Sequence, residues 1–144
     1  MPSPRSGSAV WRGDLQSGAG TVDVASGLFE GRYSFKTRFE DAVGTNPEEL
    51  IAAAHASCFS MALANILSQD GHTPESVHTT ARVYLRMVDG TPAINRIDLV
   101  TEGAVPGIDQ GQFDDYAAQA KAGCPVSKAL SGVDEIHLEA TLKS

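Results

Sequence analysis

Basic residues are scarce in this chain: 11 Lys and Arg stand against 18 Asp and Glu, a formal net charge of -7. A field of that sign repels a phosphate backbone, which argues against nucleic-acid binding, and it disfavours an anionic membrane surface for the same reason. No uninterrupted apolar stretch is long enough to span a bilayer, so no membrane role is expected. The octapeptide Met1 to Ser8 carries one positive charge and no apolar core. It reads as a flexible tail, not a signal peptide, which leaves the cytoplasm as the expected compartment. Cysteine is also sparse, with only Cys58 and Cys124, too few for a disulfide scaffold. What remains is ordinary: 144 residues, 42% hydrophobic and 20% charged, the balance of one globular domain over residues 1–144.

Residues 9–24 read as a hairpin, with strands at Ala9–Arg12 and Thr21–Val24 around a glycine-rich turn. That turn invites comparison with a phosphate cradle, but no Lys-Ser ending follows and the next element is a strand. Residues 32–39 alternate, Tyr33, Phe35, Thr37 and Phe39 against Arg32, Ser34, Lys36 and Arg38, and predict a half-buried strand. A helix then opens on Asn46 as N-cap, Pro47 in the first position and Glu49 at the third, where its side chain can return to the Asn46 backbone. It should run to about Gln69 and stop near Gly71. Its many alanines and low charge predict a central, buried helix. Val77–Val88 and Ile94–Glu102 alternate around Asp89-Gly90, a strong hairpin turn, with Ile97 and Leu99 facing in. Helices follow at about 109–122 and 126–130, then a last strand from Ile136. Grouped strands and helices in this order make the fold α+β. One helix covers this much sheet poorly, and a dimer pairing two such helices would cover it better.

Cys58 lies in the middle of the long helix, and His55, three residues earlier, shares its face. Cys124 stands just before a helix-starting proline, an N-cap position where backbone donors and the helix dipole favour a thiolate. Two readings stay open here: a pair of inert core thiols, or a redox pair. A zinc site on His55, Cys58 and Cys124 lacks a fourth ligand and any paired spacing. His72, His78 and His137 read as surface or strand histidines, and no Gly-x-Ser-x-Gly elbow is present. Capping accounts for Glu49 and leaves Glu48 free for a site. Glu48 lies about 15 Å along the helix from Cys58 at 1.5 Å per residue, so an antiparallel partner helix is needed to bring the two together. Arg38, on the polar face of its strand, is either a solvated arginine or a guanidinium that stabilises a thiolate while Glu48 holds it bidentately.

Five segments, in this order, carry a resemblance: Thr37-Arg38-Phe39-Glu40, Gly44-Thr45-Asn46-Pro47-Glu48-Glu49-Leu50, His55-Ala56-Ser57-Cys58-Phe59-Ser60-Met61-Ala62-Leu63, Ala104-Val105-Pro106-Gly107-Ile108 and Lys121-Ala122-Gly123-Cys124-Pro125-Val126-Ser127. Together they resemble the osmotically inducible protein C (OsmC) family, within the superfamily it shares with the organic hydroperoxide resistance proteins. The resemblance covers nearly the whole chain. The hydroperoxide resistance branch usually has tyrosine at the position of His55 and takes its arginine from the first hairpin, so the match is to the osmotically inducible branch.

The resemblance implies an intertwined homodimer, antiparallel sheets wrapped around long central helices, with two sites at the interface. It implies a stress-defence peroxidase needing no metal, flavin or haem. By motif match, Cys58 is the peroxidatic cysteine, Cys124 the resolving one, and Arg38 and Glu48 the charged pair beside the reactive thiol. The substrate would be an organic hydroperoxide, with hydrogen peroxide also considered. An external dithiol, of lipoyl type by family analogy, would reduce the disulfide. The competing readings are a redox sensor and a hydrophobic-ligand-binding protein whose cysteines merely line a pocket.

Overall fold

The computed structural model describes residues 2–143. The chain divides into two compact units, residues 1–50 and 51–144.

In the first unit β1 (Gly7–Arg12), β2 (Ala19–Val24) and β3 (Glu30–Tyr33) form an antiparallel sheet in that order. Gly7 and Ser8, expected in the loose tail, are paired with Val24 and Asp23. Met1 of that tail lies outside the described residues. The strand expected over residues 32–39 ends at Tyr33. From there the chain turns into a short helix, α1 (Phe35–Phe39), so Arg38 stands on a helix and not on a strand face. Ser34 caps it: Thr37 N–H donates to Ser34 Oγ at 3.3 Å, and Ser34 N–H donates to Thr37 Oγ1 at 2.8 Å. The alternation was ambiguous for a physical reason. Phe35 and Phe39, four apart, share a face in a strand and also in a helix, where their rings meet at 4.8 Å.

The long helix α2 (Pro47–Gln69) has the expected bounds. Asn46 Oδ1 accepts from Glu49 N–H at 2.7 Å, the N-cap bond. The Glu49 side chain does not return to Asn46; it accepts from Thr45 Oγ1 at 3.0 Å. Nor is α2 buried all round. Its buried stripe is His55, Phe59, Leu63 and Leu67, spaced by four, while Met61 on the opposite side is 75% exposed. The expectation that no segment could span a bilayer also needs correction. An 18-residue window of α2 reaches a mean hydropathy of 1.7, and the helix is long and apolar enough to cross one. Its alanines count as apolar without adding bulk, and the stripe of Phe59, Leu63 and Leu67 belongs to a protein core.

In the second unit β4 (Ser76–Val88) and β5 (Thr91–Ala104) make a long antiparallel hairpin. Asp89 and Gly90, with φ of 51° and 80°, form the turn that matches the strand twist. After α3 (Gln110–Gly123) and α4 (Pro125–Ala129), β6 (Glu135–Lys143) joins β5 in parallel. The sheet is therefore mixed, not wholly antiparallel: a chain that crosses over through two helices re-enters in the direction of the strand it left. Phe59, Leu63 and Leu67 of α2, Leu99 of β5, Phe113, Ala117 and Ala120 of α3, and Cys124 form one buried cluster. Every buried apolar residue among those described lies in residues 51–144.

Candidate active site

Two paired arrangements hold the residues singled out from the sequence. The first lies within residues 1–50. Asn46 ties α1 to the start of α2: while its Oδ1 caps α2, its Nδ2 donates to the Thr37 carbonyl of α1 at 2.9 Å. The connecting loop passes close beneath α1 at Gly44. There φ is 145° and a Cβ would meet Thr37 Cγ2 at 2.7 Å and the Arg32 carbonyl at 2.8 Å, so only glycine fits. This clamp sets Arg38 against Glu48. Arg38 Nε and Nη2 donate to Glu48 Oε1 and Oε2 at 3.1 and 3.0 Å, a bidentate fork. Glu48 is buried, and the Arg38 side chain keeps 38% of its surface. Arg38 also borders a groove of about 300 Å³ lined by Trp11, Leu15, Tyr33, Ser34, Phe35 and Phe39. A cation thus edges a largely aromatic surface.

The second arrangement lies within residues 51–144. Cys124 closes α3 and opens α4 at once. The α3–α4 corner brings its sulfur to 3.0 Å from that of Cys58 on α2, both residues being free thiols. A disulfide needs about 2.05 Å, so closing the bond takes only about an ångström of movement. Cys124 is fully buried and Cys58 half-buried.

The two thiols are not equivalent. Burial pushes the Cys58 thiol up, and the Cys124 contact pushes it further. Burial also opposes charge on Cys124. Its contact with Cys58 and the backbone N–H groups at the start of α4 outweigh it, so Cys124 lies below the ordinary cysteine value.

His55 is fully buried, and its Nε2 lies 2.7 Å from Ser127 Oγ. Burial holds the ring below the usual histidine range. Among the described residues no three His, Cys, Asp or Glu gather as metal ligands. His72, expected at the surface, is half-buried with its ring edge-on to Tyr116 at 6.0 Å.

Ser127 went unread in the sequence. The available signal was capping arithmetic: with Cys124 as N-cap and Pro125 first in the helix, Ser127 falls third, where a side chain reaches back to the cap.

An α+β scaffold that sets two free thiols at near-bonding distance, one on a long helix and one at a helix corner, defines a two-cysteine thiol protein. Residues 39–139 match the family model described as OsmC-like protein. Over the whole chain the sequence is 53% identical to Peroxiredoxin OsmC of Escherichia coli (strain K12), covering 100% of both chains. It is 33% identical to the organic hydroperoxide resistance protein of Xanthomonas axonopodis pv. citri, over 66% of each. The fold is that of an OsmC-like protein from Mycoplasma pneumoniae, with a TM-score of 0.76 at 17% identity and full coverage of both chains. It is also that of OhrB, the organic hydroperoxide resistance protein of Bacillus subtilis, with a TM-score of 0.73 at 24% identity, covering 96% of this chain and 98% of that one. The chain belongs to the OsmC-like protein family.

Proposed function

We propose that this protein is a thiol-dependent peroxidase that reduces organic hydroperoxides, working as one domain in a homodimer in the cytoplasm. The observation that carries the reading is the 3.0 Å approach of two free thiols in a chain 53% identical to a peroxiredoxin over its full length.

The Cys58 thiolate attacks the peroxide O–O bond. Sulfur takes one oxygen and becomes a sulfenic acid, and the other oxygen leaves and is protonated to an alcohol. Cys124 then displaces the sulfenic hydroxyl as water and closes the disulfide. An external dithiol reopens it by exchange, a lipoyl-type reductant being the best match. Cys58, the more exposed sulfur, takes the reductant's attack, and Cys124, with the lower pKa, leaves.

Since burial raises the Cys58 pKa, a positive charge must offset it for reaction at neutral pH. Arg38, oriented by Glu48, is our candidate for that charge. The aromatic groove beside Arg38 suits the carbon skeleton of an organic hydroperoxide better than hydrogen peroxide.

The homodimer is supported by what one chain leaves uncovered. Residues 1–50 bury no apolar side chain among those described, and Leu15, Leu28 and Val43 are exposed there. A three-stranded sheet with so little core is not stable alone. The exposed stripe of α2, Ala54, Ser57, Met61 and Asn65, is small enough to let a second helix approach closely.

Stopped-flow turnover with cumene hydroperoxide and hydrogen peroxide, using dihydrolipoamide, tests the reading. Turnover should vanish in Cys58→Ser. Cys124→Ser should stop after a single oxidation. Full activity in Cys58→Ser refutes it. A single oxidation without turnover in the wild type makes the protein a sensor.

A further inference from the structure

His55 has no exposed surface, and Ser127 keeps only 7% of its own. The two side chains meet where α2 packs against α4, with the ring Nε2 2.7 Å from the serine Oγ. Nδ1, the other ring nitrogen, is buried without a partner. Ser127 is therefore the one polar contact that offsets taking this imidazole out of water. The chemistry of Cys58 and Cys124 makes no use of the pair.

Its place in the fold supplies a use. His55 precedes Cys58 by three residues on α2, and Ser127 follows Cys124 by three on α4. The hydrogen bond and the 3.0 Å sulfur contact thus join the same two segments, about one helical turn apart and in antiparallel order. Helix α4 has five residues, too few to be stable by itself, and Ser127 is the buried one among them. Val126 is only partly buried against the core. Among the described residues, His55 to Ser127 is the only side-chain hydrogen bond between α2 and α4.

We propose that the His55–Ser127 bond is a latch that keeps Cys124 in reach of Cys58, so that the disulfide closes before the sulfenic acid meets a second peroxide. The inference rests on the peroxidase reading. Two fates compete for the Cys58 sulfenic acid. In one, the Cys124 sulfur bonds to the Cys58 sulfur, the S–O bond breaks, and the departing hydroxide takes the Cys124 proton and leaves as water. In the other, a second hydroperoxide gives one oxygen to the Cys58 sulfur and departs as its alcohol, leaving a sulfinic acid that thiols do not reduce. The first fate is intramolecular and depends on how Cys124 is held; the second is bimolecular and does not. His55 and Ser127 are positioning residues, and neither exchanges a proton or an electron with the sulfurs.

The test separates these steps in full-length protein without reductant. Peroxide loss reports oxidation of Cys58, and acid-quenched mass spectrometry resolves the disulfide from the sulfinic form. Ser127→Ala should leave the first rate unchanged and slow disulfide closure about fivefold, the worth of one net hydrogen bond. The sulfinic fraction, while small, should rise by the same factor. Ser127→Thr and His55→Gln, which can each remake the bond, should behave as wild type. Ser127→Ala leaves the buried ring wholly unpaired, so a second variant, His55→Phe with Ser127→Ala, removes both polar groups; it should melt near the wild type and still close slowly. Amide hydrogen exchange needs no peroxide: Lys128 and Leu130, whose N–H groups bond within the α4 turn, should exchange faster in Ser127→Ala while α2 and α3 keep their protection. Unslowed closure in either variant, an equal fall in both steps, slow closure in Ser127→Thr and His55→Gln, or unchanged exchange in α4 each overturns the latch and leaves the peroxidase reading intact. A wild type that consumes no peroxide overturns that reading, and the latch with it.

Discussion

Gly103 offers a direct test of how the redox corner is held. It sits on β5, and a Cβ placed there would lie 2.5 and 2.6 Å from Cε1 and Cζ of Phe113. Carbon atoms pack at about 3.5–4.0 Å, so Gly103→Ala requires the ring to retreat by about 1 Å. Phe113 has no exposed surface and is enclosed by the cluster that also contains Leu63, Leu67, Leu99 and Cys124. Overpacking of this kind costs about 1–3 kcal/mol. Replacing glycine in a strand returns about 0.5–1 kcal/mol by removing freedom from the unfolded chain. The clash wins, leaving a loss of about 0.5–2 kcal/mol. An unfolding entropy of about 2.1 cal/mol/K per residue makes that a fall in Tm of roughly 2–7 °C for a chain of this size. Thermal melts at fixed protein concentration, with reductant present, measure it. Adding Phe113→Leu should recover part of the loss, so that the two changes couple by about 0.5 kcal/mol or more. A Gly103→Ala protein that melts at or above the wild type, or strict additivity in the double variant, would show that the ring yields freely and that the cluster is not close-packed at this point.

Three further outcomes follow from the same geometry. In Arg38→Met the Cys58 thiol is left to burial and its Cys124 neighbour, both of which raise it, so its oxidation rate should climb about tenfold per pH unit from pH 7 towards 9; wild type should show a flatter profile, and identical slopes exclude Arg38 as the offsetting charge. Asp98 is held below the usual carboxylate range by Arg96, then by the Tyr84 hydroxyl. A lowered folded pKa stabilises above the unfolded value and is lost as pH falls through the folded one, so the stability gap between wild type and Asp98→Asn in urea melts should be widest at pH 7 and close below about pH 4. Asn46→Ala removes both the α2 cap and the bond to the Thr37 carbonyl, so it should cost about 1–2 kcal/mol in chemical denaturation, and peroxidase activity should fall as the Arg38–Glu48 fork loosens.

What the sequence discloses about this fold depends on whether the signal is local. The α2 start and stop are legible because Asn46, Pro47 and Gly71 act within a few residues of themselves. The Asp89-Gly90 turn is legible because both residues sit at positive φ. The short helix α1 is local too, yet it is missed. A four-residue spacing of aromatics satisfies both periods, and only the Ser34–Thr37 capping pair separates them. The direction of β6 carries no local signal: alternation is the same whether a strand runs with or against its neighbour, and only the crossover through α3 and α4 decides it.

The site divides along the same line. The helix corner at Cys124 is written in its proline, whereas the His55–Ser127 bond spans 72 positions and exists only once α2 and α4 have met. The lone exposed face of α2 is the converse case. Alanine-rich sequence predicts burial, yet within one chain the apolar and histidine side chains fully covered on α2 are the stripe of His55, Phe59, Leu63 and Leu67, while Ala54, Ser57, Met61 and Asn65 are exposed. Hydropathy records what a helix is able to bury and does not say against what.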